Sequence, residues 1–157
     1  MSTLAARNDG GYWRLPPKIK IYEALGAIAD GRVRQISEDE WIVISSDGSR
    51  QYHVVVRGDA VSSTDNGSVY RGYLGYPAIA VLMLLGKLPF EKVYAEMLRG
   101  IPWRRWNEEL RRYDLVLKRV LQRVSDPEGL KSFVDRVYDT LKQRRFKKLE
   151  SRQTTLF

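Results

Sequence analysis

Cysteine is absent from the 157 residues. That excludes a disulfide scaffold, a cysteine nucleophile, a thiolate zinc finger and an iron–sulfur cluster. Histidine occurs once, at His53, so a histidine-rich metal site is excluded and a Ser-His-Asp triad could form only around that residue. No apolar run approaches the roughly 20 residues that span a bilayer; the longest, residues 78–85, has eight. The opening MSTLAARNDGGYW lacks an apolar core of signal-peptide length. A soluble, cytoplasmic protein without membrane contact is the expectation. Asn (three), Gln (five) and Met (three) are scarce, and since such side chains are thermolabile this points to a thermophile.

What is present in excess is positive charge. Lys and Arg number 27 against 19 Asp and Glu, a net charge of +8. Residues 1–98 carry 11 basic and 11 acidic side chains, whereas residues 99–157 carry 16 and 8. A one-sided basic surface favours a polyanionic partner, usually nucleic acid, over a merely solvated helix face.

Along the chain, residues 1–14 read as a flexible N-terminus. Pro16-Pro17 opens an amphipathic helix through Ile21, Leu25, Ile28 and Ala29. Short β-rich runs follow, at Trp41 to Ile44, Tyr52 to Val56 and Val69 to Leu74. Asp47-Gly48 and Asp65-Asn66-Gly67 punctuate them, which predicts an antiparallel meander of about four strands. From Pro77 onward the pattern is helical: an apolar central helix, a shorter one, then one long basic helix from Trp103 to Val124. A last helix, opened by Ser125-Asp126-Pro127-Glu128, buries Leu130, Phe133, Val134, Val137 and Leu141. The fold class is therefore α+β, with the meander packed against helices and a long helical C-terminal part. Residues 15–124 read as the binding domain, 125–150 as a C-terminal helix available for homodimer formation, and 151–157 as a flexible tail.

No residue set argues for catalysis. Glu38-Asp39-Glu40 lacks the spacing of a calcium loop, and no glycine-rich phosphate loop is present. A nuclease would need Glu38, Asp39, Asp47 or Asp59 to converge on a metal. The protein is read as a non-enzyme that needs no metal or cofactor. Aromatic residues interleaved with cations are the stronger signal: flat rings stack bases and guanidinium groups meet phosphates. They occur at Tyr70-Arg71-Gly72-Tyr73-Leu74-Gly75-Tyr76 and at Trp103-Arg104-Arg105-Trp106. The candidate stacking rings are Tyr52, Tyr70, Tyr73, Tyr76, Trp103 and Trp106. The candidate phosphate contacts are Arg57, Arg71, Arg104, Arg105, Arg111, Arg112 and Lys118.

The segment IPWRRWNEELRRYD at residues 101–114, following a small basic meander, resembles the ThermoDBP family of archaeal single-stranded DNA-binding proteins that lack an OB-fold. The likeness spans residues 17–124 and is strongest at Pro102, Trp103, Asn107, Tyr113 and Asp114. It implies sequence-independent binding of single-stranded DNA in a cleft of apolar and basic residues, a role in replication, recombination or repair, and dimers formed by a C-terminal helical extension. A second likeness is to a SWIM-type zinc module: Ser63 and Asp65 stand where such a motif carries Cys-Pro-Asp, and Gly75 and Pro77 where it carries Cys-x-His, so the zinc-holding Cys and His are absent. Gln153, Leu156 and Phe157 resemble a truncated sliding-clamp box. The alternative function is a basic adaptor docking on an acidic partner, such as a sliding clamp or recombinase, with only non-specific nucleic-acid affinity.

Overall fold

The computed structural model describes residues 10–149; the tail bearing Gln153, Leu156 and Phe157 lies outside them. The elements are α1 (Ile19–Ala29), β1 (Val33–Gln35), β2 (Glu40–Ile44), β3 (Gln51–Arg57), β4 (Ala60–Ser63), a π-helical turn (Gly67–Arg71), α2 (Tyr76–Leu84), α3 (Lys92–Met97), α4 (Trp103–Leu110), α5 (Tyr113–Leu121), α6 (Pro127–Gln143) and β5 (Lys147–Lys148). The expected α+β architecture holds: β1 to β4 form an antiparallel meander, and β5 adds to β4 in parallel.

Tight turns set the register. Gly48 adopts φ +78° between β2 and β3, a left-handed conformation that costs glycine nothing. The Asp47 carboxylate accepts there from the Ser49 backbone N–H and from the Ser45 and Ser49 hydroxyls. Pairing of Trp41 with Val54 and of Val56 with Val61 places Trp41, Val43, Val54, Val56 and Val61 on one buried face. α2 packs on that face and α1 covers α2 from the other side. This position between two layers explains why α2 is apolar all round, with Pro77 to Met83 buried. Among the described residues, no helix is long and apolar enough to cross a membrane.

Two elements differ from the sequence expectation, and both shape the site. Val69 to Leu74 is not a strand. The chain winds instead into the π-helical turn, closed by Gly72 at φ +74°. The buried Asp65 side chain draws the backbone N–H and hydroxyl of Ser68 onto itself, which bends the chain away from the sheet. Residues 103–124 are not one helix either. Arg111 sits at φ +59° and Arg112 is extended, so the chain folds back between α4 and α5. No Gly or Pro marks this break.

Both ends of the described chain are tied into the sheet. Residues 10–14, expected to be flexible, are held by the Trp13 indole N–H donating to the Val61 carbonyl (2.9 Å) and the Trp13 N–H donating to the Phe146 carbonyl (2.9 Å). Beyond α6 the chain returns to the sheet: Phe146 is buried and β5 follows it. The stripe of α6 proposed for self-association, Val134, Val137 and Leu141, is taken up by the protomer's own core.

Candidate nucleic-acid interface

α1, the π-helical turn and the α4–α5 junction enclose a groove in two connected halves. The wide half, about 720 Å³, is lined by Pro17, Lys20, Asn66, Gly67, Tyr70, Arg71, Tyr73, Asn107, Arg111, Arg112 and Tyr113. Among the described residues that line it are four cations and no carboxylate. The narrow half, about 340 Å³, adds Glu23, Ser45, Tyr52, Asp65, Tyr76, Trp103, Arg104 and Glu108, and shares Lys20, Asn66, Gly67 and Asn107 with the first. Charge is thus polarised along the groove, with the wide half cationic and the narrow half mixed.

Local chemistry builds each wall. The π turn exists because Asp65 anchors Ser68, and because Gly67 lets the Tyr73 ring approach: a Cβ on Gly67 would collide with that ring. π-helical segments are rare and often mark functional positions. α4 is held on α1 through Gly26, where a Cβ would lie 2.6 Å from the Trp103 indole nitrogen. The Arg104 N–H donates to the Ser46 hydroxyl (2.9 Å), an N-terminal cap supplied by the β2–β3 turn. Tyr52 from β3 meets Tyr76 edge-on at 6.1 Å.

A polar network lies under the floor. The buried Glu23 carboxylate accepts from Lys20 Nζ (3.2 Å) and from Asn107 Nδ2 (2.9 Å). Asn107 Oδ1 is buried without a partner. Burial alone would lower the Lys20 pKa, but the Glu23 carboxylate, with Tyr113 and Tyr73 nearby, outweighs it and holds Lys20 above its ordinary value. Lys20 is therefore a fixed cation at neutral pH. Burial pushes the Tyr73 phenol up to about 12, opposed by the Lys20 cation and aided by the hydrogen bond to Tyr113. Burial also raises Tyr76, and takes Tyr22 up to about 12.

These shifts give a pH prediction. Lys20, Tyr22, Tyr73 and Tyr76 all hold their protons more tightly when folded. Their contribution to stability is complete below the unfolded values near 10 and is lost as pH rises through the folded ones. Denaturant titrations should give constant stability from neutral pH to about 9 and a steady fall above 10. Tyrosinate absorbance of the native protein should show late-titrating tyrosines, and Tyr73→Phe should reduce the fall.

Of the residues singled out in the sequence, Tyr52, Tyr70, Arg71, Tyr73, Tyr76, Trp103, Arg104, Arg111 and Arg112 converge on the groove. Four do not. Arg57 pairs with Asp39 at the far end of β3 (2.7 Å). Arg105 lies on the outer side of α4 beside Glu109 (3.7 Å). Trp106 is buried beneath the guanidinium groups of Arg119 and Arg123. Lys118 lines a separate, largely apolar hollow with Leu117, Leu121 and Pro127. Trp103 is itself buried and contributes to the wall rather than an open stacking face. Within the wide half, Arg112 is paired with Asp114 (2.7 Å) and Lys20 with Glu23, whereas no carboxylate among the described residues pairs with Arg71 or Arg111.

Sequence reasoning overlooked Lys20, Asn66, Asn107 and Tyr113 as groove residues. Asn107 and Tyr113 were among the strongest points of the ThermoDBP likeness, and that was the available signal. Three of the acidic residues considered for a metal each face an arginine: Asp39 faces Arg57, Asp47 faces Arg104 and Asp59 faces Arg144. Among the described residues no group of three His, Asp or Glu stands close enough to hold a metal ion. Asp65 and Gly75, two of the positions likened to a zinc module, do lie side by side. Hydrogen bonds through Ser68 join them.

A family model described as "Uncharacterised conserved protein UCP014422" matches residues 13–147. No curated protein and no solved structure matches the chain.

Proposed function

The chain belongs to the uncharacterised conserved family that this match defines, and we propose that it binds single-stranded DNA in the groove without reading its sequence. The observation that carries this reading is the wide half of the groove: four cations, three tyrosines and no carboxylate on one concave surface. Phosphates are met by Arg71 and Arg111, which no carboxylate among the described residues neutralises. Tyr70 and Tyr113 present exposed rings on which bases stack, each stack contributing roughly 1–3 kcal/mol. The narrow half is too small and too acidic for a phosphate backbone and suits an inserted base against Tyr52 and Tyr76. The resemblance to ThermoDBP supports DNA as the strand and genome maintenance as the setting.

The test is fluorescence anisotropy with a labelled single-stranded oligonucleotide at two salt concentrations, with duplex as competitor. Tight binding that weakens with salt and resists duplex supports the groove. Equal competition by duplex favours the second reading, a basic adaptor docking on an acidic protein, to which the apolar hollow beside Lys118 lends support.

A further inference from the structure

We propose that a bound strand continues past the groove onto a second cationic surface, built where the two ends of the described chain meet beside the π-helical turn. This rests on the groove binding a single strand and adds residues that lie outside it. Arg14 pairs in a parallel bridge with Tyr73, a groove residue, and donates from Nη1 to the carbonyl of Arg71, another (3.2 Å). A Cβ on Gly72 would lie 3.7 Å from both Arg14 Cδ and Lys148 Nζ, so these two cations flank the residue that follows Arg71. On the other side, Tyr12 bridges to Lys147, and the Arg145 guanidinium stands over the Tyr12 ring at 5.9 Å while donating to the Trp13 carbonyl (2.8 Å).

The chemistry matches that of the groove and is contiguous with it. Arg14, Arg145 and Lys147 are exposed. None of the described residues supplies a carboxylate to Arg14, Arg145 or Lys147, in contrast to Arg144, which pairs with Asp59 (3.1 Å). Cations left unneutralised in a row, with a ring among them, make a track for a phosphate backbone. An acidic protein surface would not need the row to begin at Arg71. The consequence is a footprint longer than the groove, with affinity rising with strand length until the second surface is covered.

The experiment measures the affinity of labelled oligo(dT) from about 4 to about 16 nucleotides for the full chain. It is repeated for Arg14→Gln/Arg145→Gln, which keeps side-chain donors, for Lys147→Gln, which disturbs no side-chain bond in the structure, and for Lys118→Gln as a matched charge loss elsewhere. At about 0.1 M salt each lost phosphate contact removes a factor of about five through counterion release. The double variant should bind the longest strand roughly twentyfold more weakly, with a salt slope lower by about 1.4, and Lys147→Gln about fivefold. Both should bind the shortest strand within twofold of the unaltered chain, as should Lys118→Gln at every length. Unchanged long-strand affinity in both track variants, or losses equal at all lengths, overturns the extension while short-strand binding keeps the groove. A chain that binds no oligonucleotide overturns the groove reading and the extension with it.

Discussion

Replacing Arg71 and Arg111 together should lower affinity for single-stranded DNA by roughly a hundredfold, at about 1.5 kcal/mol for each charge-assisted contact. These two are singled out because Lys20 and Arg112, the other cations of the wide half, already face carboxylates. The salt slope should fall by about 1.4. Arg111 allows a sharper form of the test. It occupies a left-handed position, φ +59°, at the end of α4, where glycine is the unstrained choice and a side chain costs about 1 kcal/mol. Arg111→Gly should therefore leave the melting temperature unchanged or higher while weakening binding about fivefold or more. A residue kept for folding would show the reverse. Arg57→Gln and Lys118→Gln, which lie away from the groove, should leave affinity within twofold. Loss of binding in these controls equal to that in Arg71→Gln would mean that bulk charge, not the groove, holds the strand.

The convergence of residues far apart in the chain shows what the sequence could carry. The alternation of tyrosine, arginine and glycine at residues 70–76 reads in the sequence as a strand, whereas in the structure Tyr70, Arg71, Tyr73 and Tyr76 reach the groove by way of a turn. Gly72 and the Asp65 anchor turn it into a π-helical turn, so Tyr70 and Tyr76 do not share a strand face. Period-two spacing cannot register a side chain that captures the backbone from two residues before the turn. Trp106 was misplaced for another reason. An aromatic residue beside arginines looks the same in sequence whether the rings stack on bases or on the chain's own guanidinium groups, and here Arg119 and Arg123 cover it. They can do so only because the chain reverses at Arg111 and Arg112, a break with no Gly or Pro. Lys20 was passed over because one lysine on an amphipathic helix reads as solvated. Its partner Tyr113 lies far along the chain but beside it in the fold, with Lys20 Nζ 5.2 Å from the ring centroid. The unbroken apolar run of α2 and the apolar periodicity of α6, by contrast, placed both in the core, since each signal depends only on near neighbours in the sequence.

Asp65→Ala should be the most destabilising single change near the groove that leaves the apolar core untouched. The buried Asp65 carboxylate accepts from the hydroxyls of Ser63 (2.5 Å) and Ser68 (2.8 Å) and from the Ser68 N–H (3.2 Å), and the Ser68 oxygen accepts from the Gly75 N–H (3.3 Å). Alanine would leave the Ser63 and Ser68 hydroxyls and the Ser68 N–H without this acceptor, at about 1–3 kcal/mol for each unsatisfied group. Allowing for relaxation, a loss of about 3–4 kcal/mol is expected in denaturant unfolding, a large share of the 5–15 kcal/mol typical of a domain. Asp65→Asn retains one acceptor oxygen and should cost less. Gly75→Ala tests the same junction from the other side, because a Cβ there would collide with the Asp65 carboxylate. It should also destabilise, and adding it to Asp65→Ala should cost less than the sum of the two single changes, since the clash disappears with the carboxylate. The junction holds the π-helical turn, which carries Tyr70 and Arg71 into the groove. A stable variant at this position, such as Asp65→Asn, should lose affinity for the strand without having altered a residue that contacts it. Binding unaffected in a measurably destabilised Asp65→Asn would show that the turn need not be held for the groove to work.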